Sequence, residues 1–200
     1  MIKTIIFDFD GVLGDTYKIN FEICKDFFPD LSEQDFKDYH NGNVFKSNIM
    51  KWEHNDLLKF FKKQKKRFTK KHLFQLKKVI SKLQKKYQLL IISSTMDDSI
   101  RYFLSLEDYN HFFQKIFGAT THRSKVEKFK MIFKQYNLQP QECLFITDTV
   151  GDIKEAREIN IQSIAVTWGY HDEKFLSTHK PLAIVHNADQ LLQVIKKHSV

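Results

Sequence analysis

The 200-residue sequence predicts an α/β fold: a doubly wound parallel sheet with a small helical cap inserted after the first strand. Three observations predict it. From Leu73 onward, short apolar runs alternate with helical periodicities, the pattern of strands joined by helical crossovers. The runs are nearly continuous rather than alternating, as in strands covered on both faces. Polar residues collect where the runs end, which is where the crevices of open α/β sheets form.

The elements follow in order. Ile2 to Phe9 is short and β-branched and reads as a buried strand, stopping at Asp8-Phe9-Asp10-Gly11. From Thr16 to about Lys71 the periodicity is helical, with Phe21, Cys24, Phe27 and Phe28 on one face of a first helix and no strand in the stretch. Leu73 to Tyr87 reads as an amphipathic helix, carrying Leu73, Leu76, Val79, Ile80 and Leu83 at helical spacing. Strands are then expected at Leu89–Ile92, Ile116–Ala119, Cys143–Ile146, Ile164–Val166 and Ala183–Val185. Helices are expected at Asp97–Leu106, Val126–Tyr136, Ile153–Ile159 and Ala188–Lys197. The division is a core of residues 1–14 and 72–200 and a helical cap of residues 15–71, with Asp15-Thr16 as the hinge.

Composition narrows the class. Apolar residues make 42% and charged residues 28%, a globular rather than a disordered balance. No run approaches the ~18 apolar residues of a membrane helix. The N-terminus turns acidic too soon for a signal peptide, so the expected location is the cytoplasm. Cys24 and Cys143 lie far apart in apolar surroundings, as free thiols of a reducing compartment do. The net charge of +8 is mostly lysine spread over helices, and its densest run is Lys62 to Lys71. That run reads as a solvated helix face, with a nucleic-acid site as the alternative; Phe68 is its one aromatic residue. Nine histidines form no tight pair and are given no metal role.

The chemistry gathers at strand ends: Asp8 and Asp10 after the first, Ser93 after the second, Asp148 and Asp152 after the fourth. Four carboxylates at one edge repel one another unless a cation or proton sits among them. Hard oxygen donors suit Mg²⁺, which would also neutralise an arriving phosphate. A carboxylate can attack phosphorus, and a second two residues on can serve as acid and base. Ser93 or its neighbours Ser94 and Thr95 could bind phosphoryl oxygens while another caps the next helix. A lysine would balance the remaining charge.

These residues carry a resemblance. Asp8-Phe9-Asp10-Gly11-Val12-Leu13-Gly14-Asp15-Thr16 resembles the first motif of the haloacid dehalogenase superfamily, and Ile91-Ile92-Ser93 its second. Lys125, opening a helix, is similar to the third, with Lys128 and Lys130 close by. Ile146-Thr147-Asp148-Thr149-Val150-Gly151-Asp152 resembles the fourth. The similarity spans essentially the whole chain and implies a Rossmann-like core with a cap of the kind called C1. Two departures stand out: Thr147 where Gly or Glu is commoner, and Val126 where Pro often follows the lysine.

The resemblance implies that Asp8 is the nucleophile and a Mg²⁺ ligand. Asp10 would be the general acid and base, with its backbone carbonyl on the metal. Ser93, Ser94 and Lys125 would bind the phosphoryl group, and Asp148 and Asp152 would serve the metal. It further implies a Mg²⁺-dependent phosphomonoester hydrolase of the phosphoglycolate phosphatase-like or β-phosphoglucomutase-like branch. Its partner would be a small phosphorylated metabolite, of the phosphoglycolate, nucleotide or sugar phosphate class. A phosphomutase of the same superfamily and a basic nucleic-acid-binding module on this fold are the alternatives. His122 and Arg123 are candidates for substrate contact, Trp168-Gly169-Tyr170 for the crevice rim, and Phe21, Phe28, Phe60 and Phe61 for the cap's own core.

Overall fold

A computed structural model describes residues 1–199. The chain runs β1 (Thr4–Phe7), α1 (Tyr17–Lys25), α2 (Glu33–Tyr39), α3 (His54–Arg67), α4 (Lys77–Gln84), β2 (Gln88–Ile92), α5 (Asp97–Ser105) and β3 (Lys115–Phe117). It continues through α6 (Lys125–Tyr136), β4 (Cys143–Thr147), α7 (Val150–Glu158), β5 (Gln162–Val166), α8 (Glu173–Ser177), β6 (Ala183–Val185) and α9 (Ala188–His198). The strands make one parallel sheet in the order β3-β2-β1-β4-β5-β6. Strand order reverses beside β1, which puts the crevice of this doubly wound sheet at the carboxyl ends of β1 and β4.

The continuous apolar runs are explained by cover on both faces. Ile5, Phe7, Leu89, Ile91, Leu144 and Ile146 face one core, with Val79, Ile80 and Leu83 of α4, Ile100 and Phe103 of α5, and Leu191 and Ile195 of α9. Ile6, Leu90, Ile92 and Phe145 face the other, against Phe129 and Ile132 of α6 and Ala156 of α7. The period of two along a strand sends neighbours to opposite layers, so every position must be apolar.

Four helices stand between β1 and β2, and the first three, α1 to α3, make the insert. α1 buries Ile19, Asn20, Ile23 and Cys24, and α3 buries Phe60, Phe61 and Gln64. α2 begins at a capping box, in which the Ser32 hydroxyl accepts from the Asp35 amide while the Asp35 carboxylate accepts from Ser32. The insert leaves and rejoins the core through paired backbone: the Asp15 amide donates to the His72 carbonyl at 2.7 Å, and that of Phe74 to Leu13 at 2.9 Å. It also docks on the start of α7, where the Gly151 amide donates to the His40 carbonyl at 3.0 Å and Asn43 Nδ2 to Glu155 Oε1 at 3.0 Å.

The helix expected over Leu73 to Tyr87 begins only at Lys77. The backbone of Leu73 is taken by a bridge to Gly14, so the apolar residues before Lys77 are linker packed into the core. α7 starts earlier than Ile153 because Thr149 caps it, accepting from the Asp152 amide. α8 was not expected; its five residues are too few for a period to show, although Asp172 caps it in the ordinary way. Both cysteines are buried and free. Among the described residues no helix is long and apolar enough to cross a membrane.

Candidate active site

β1 delivers Asp8 into the crevice, its amide held by the Ile146 carbonyl of the neighbouring strand at 2.9 Å. Asp8 Oδ1 accepts from the Phe9 amide at 2.7 Å. The chain then turns tightly, with the Leu13 and Gly14 amides donating to the Phe9 carbonyl at 2.9 Å each. Gly11 has φ +73°, and a Cβ there would stand 1.9 Å from Asp148 Oδ2, so conformation and space both require glycine. Asp8 and Asp10 take different hydrogen-bond partners. Asp10 Oδ2 accepts from Thr95 Oγ1 at 2.7 Å and Ser93 Oγ at 3.2 Å, and Oδ1 from Asn20 Nδ2 at 3.3 Å and Gln64 Nε2 at 3.4 Å.

Lys125 opens α6 and places its Nζ 2.8 Å from Asp8 Oδ2 and 2.6 Å from Asp152 Oδ2, with all three residues buried. Thr147 Oγ1 donates to Asp152 Oδ2 at 2.7 Å. Burial disfavours charge at each member, and the pairing decides the outcome. Burial pushes Asp8 well above the ordinary carboxylate range; Lys125 opposes it, and the charges of Asp152 and Asp148 reinforce it. At Asp152 burial acts the same way but is outweighed by Lys125 and by hydrogen bonds from Asp8 and Thr147, leaving it below that range. Burial opposes the charge of Lys125, and the two carboxylates overcome it and raise its affinity for the proton.

Asp148 ends β4 in a tight cradle. A Cβ on Gly169 would stand 2.2 Å from Asp148 Oδ2, and that oxygen accepts from the Tyr170 amide at 2.7 Å. Burial pushes Asp148 up to about 8, against the pull of the Tyr170 amide and with a further push from Asp152. Its other oxygen, Oδ1, is buried without a hydrogen-bond partner. An orphaned buried carboxylate oxygen facing other carboxylates is a donor set that suits a hard divalent cation, which would relieve the repulsion and lower both raised affinities. Among the described residues, however, no three acidic, His or Cys side chains are drawn together as a ready cage. Asp8 and Asp152 share Lys125, and the Asp10 carboxylate is taken up by Thr95, Ser93, Asn20 and Gln64.

A cavity of about 90 Å³ lies between these groups and the helical insert, lined by Asp8, Asp10, Lys125 and Asp152 on the core side. Ser94 lines it; the Ser93 hydroxyl is instead fully buried, donating to Asp10 and accepting from the Thr95 amide. His122 and Arg123 do not line it: His122 Nδ1 accepts from the Ser124 amide, and Arg123 lies over the Phe45 ring. Phe60 and Phe61, expected as cap core, are buried in the hydrophobic core and also line the cavity, because the inward face of α3 meets the crevice. Trp168 packs on the core and donates to the Val12 carbonyl at 3.3 Å.

Asn20 and Gln64, which the sequence does not single out, complete the site together with Thr95, Lys128 and the expected rim residue Tyr170. Thr95, Asn20 and Gln64 surround Asp10, and Tyr170 receives Asn20 Nδ2 on its hydroxyl at 2.8 Å. Lys128 is fully buried one helical turn behind Lys125 and donates to the Ser93 carbonyl. Gln64 sits inside the Lys62 to Lys71 run, and only its helical phase on α3 marks it as the inward residue. In the same run, Lys63 pairs with Asp26 at 2.8 Å, and Phe68 is buried in a stack on Phe103, so the run offers no exposed aromatic surface.

A family model described as haloacid dehalogenase-like hydrolase matches residues 5–166. The chain is 24% identical to a phosphoglycolate phosphatase of Synechococcus elongatus, with 97% of each covered. It is 24% identical to the pyrophosphatase PpaX of Oceanobacillus iheyensis, again with 97% of each covered. Among solved structures, a haloacid dehalogenase-like family hydrolase of Streptococcus pneumoniae superposes with a TM-score of 0.75 at 22% identity, covering 96% of this chain and 97% of that one. At that identity the superposition speaks for the fold.

Proposed function

This chain belongs to the haloacid dehalogenase-like hydrolase family, and from that premise we propose that it is a Mg²⁺-dependent phosphomonoester hydrolase working through an aspartyl-phosphate on Asp8. The observation that carries the reading is the pair Asp8 and Asp10 on one turn. Asp8 is tied to a buried lysine, and Asp10 stands apart from it among hydroxyl donors at the cavity. Two carboxylates in different surroundings can take different roles.

In this reading Asp8 attacks the phosphorus of a small phosphorylated metabolite. Asp10 protonates the departing alcohol oxygen, then takes a proton from the water that attacks the aspartyl-phosphate. Lys125 sets a fixed positive charge beside the attacking oxygen, where phosphoryl oxygens arrive. Ser94 and the amides around it meet those oxygens, while Ser93, Thr95, Asn20 and Gln64 fix the Asp10 carboxyl. A divalent cation held by Asp8, the Asp10 carbonyl and Asp148, with Asp152 orienting its waters, would supply charge neutralisation for the transferring group. The helical insert of residues 15–71 acts as the cap that covers the substrate, on a core of residues 1–14 and 72–200. The reaction is placed in the cytoplasm.

The test is release of inorganic phosphate from a panel of phosphate monoesters with and without Mg²⁺. Mass spectrometry of rapidly quenched enzyme then looks for a phosphoryl group on Asp8. Release that needs Mg²⁺ together with a labelled Asp8 is the expected result. Turnover without any covalent adduct would remove the aspartyl-phosphate route.

A further inference from the structure

The roles of Asp8 and Asp10 leave the far side of the cavity unassigned. The insert builds it, with Phe36 from α2, Val44 and Trp52 from the loops that follow, and Leu57, Phe60 and Phe61 from α3. Trp52 packs edge-on to Phe60, and Phe60 to Phe61, each with centroids 5.3 Å apart, so these three rings form one apolar patch, beside which Asn20, Tyr39 and His40 also line the cavity.

Charge decides what this wall accepts. The acidic and basic side chains lining the cavity are the carboxyls of Asp8, Asp10, Asp152 and Glu155 and a single lysine, Lys125, which is already engaged by Asp8 and Asp152. His40 also lines it, but its Nδ1 is bonded to the Phe36 carbonyl, and burial pushes it down to about 4, so it is neutral at pH 7. Arg123 is kept outside, over the Phe45 ring at 5.4 Å. A substrate carrying a second anionic group would bury that charge beside carboxyl groups, with no unpaired lysine or arginine among the lining residues to meet it. A cation held by Asp8 and Asp148 would be taken up by the first phosphate, and an unpaired buried charge is strongly unfavourable.

We infer that the cavity selects phosphate monoesters of a compact, uncharged, apolar alcohol and rejects those whose alcohol carries a carboxylate or a second phosphate. The inference rests on the phosphatase reading above and sets this chain apart from the substrates in its relatives' names. The size is consistent: the cavity of about 90 Å³ must take the phosphoryl group beside Asp8 and Lys125 as well as the alcohol, which favours a compact one.

Isobutyl phosphate matches phosphoglycolate in shape, with an isopropyl group replacing the carboxylate. Its kcat/KM should exceed those of phosphoglycolate and pyrophosphate by at least about tenfold, mainly through KM. Equal or better use of either anionic substrate would overturn the inference while leaving the phosphatase reading intact. Binding separates the two claims further. Titrated into the native protein with Mg²⁺, 3-methylbutylphosphonate should bind at least about tenfold more tightly than its isostere 3-phosphonopropionate. Tighter or equal binding of the carboxylate overturns the inference even if no ester turns over. The phosphonate preference without any hydrolysis supports the cavity's selectivity and defeats the phosphatase reading. Leu57→Lys, at a half-buried wall position, should shift the preference toward phosphoglycolate by about tenfold or more; an unchanged ratio counts against the inference.

Discussion

Lys125 Nζ bridges Asp8 Oδ2 at 2.8 Å and Asp152 Oδ2 at 2.6 Å, joining the end of β1 to the first turns of α6 and α7. Replacing the lysine leaves two buried carboxylates face to face. Lys125→Met should therefore cost on the order of 3–5 kcal/mol of stability and reduce turnover by about a hundredfold or more. Urea melts and phosphate release read the two effects. A variant as stable and active as the parent would show that the ammonium serves neither purpose.

Asp8 and Asp10 separate by step. Asp8→Asn keeps the size of the side chain and the hydrogen bond from the Phe9 amide, and should keep the fold while abolishing turnover. Asp10→Asn should slow both formation and hydrolysis of the intermediate by about 10²–10⁴. Circular dichroism checks the fold, and burst kinetics resolve the steps. Normal turnover in the Asp8 variant, or an unchanged rate in the Asp10 variant, contradicts the assigned role.

The unpaired Oδ1 of Asp148 makes metal dependence measurable without activity. Mg²⁺ should raise the melting temperature of the chelator-treated protein, because a ligand that binds only the folded state stabilises it. Asp148→Asn should abolish that rise. Scanning calorimetry decides the point, and a rise of equal size in the variant would place the cation elsewhere.

Lys128 gives a pH signature. Burial, and next the charge of Lys125, push it down to about 7 in the folded protein, against ~10.4 in an unfolded chain. Between those values the unfolded state binds the extra proton, so this group makes stability rise with pH across that window. Lys128→Met lacks the effect. The stability of wild type relative to the variant should therefore grow from pH 7 to pH 10, by up to roughly 4 kcal/mol. Denaturation of both proteins at the two pH values tests it; parallel profiles would mean the lysine stays charged.

Local pattern made the sheet readable. Leu89–Ile92 and Cys143–Ile146 fall within β2 and β4, since a strand covered on both faces has little choice but to be apolar throughout. Leu73 misled for the opposite reason. Its spacing continues that of α4, yet a backbone bridge to Gly14, far away in sequence, takes it out of the helix.

The sequence by itself determined the α/β fold, the family and the acidic and basic residues of the site, because apolar period and motif order are written along the chain. Tertiary structure alone decided how those groups divide: Lys125 between Asp8 and Asp152, Asp10 among Thr95, Ser93, Asn20 and Gln64, and Phe60 and Phe61 turned to the cavity. Hydrogen bonds and desolvation act through space. Partners such as Gln64 and Asp10, 54 positions apart, have no common signature until α3 folds over the end of β1.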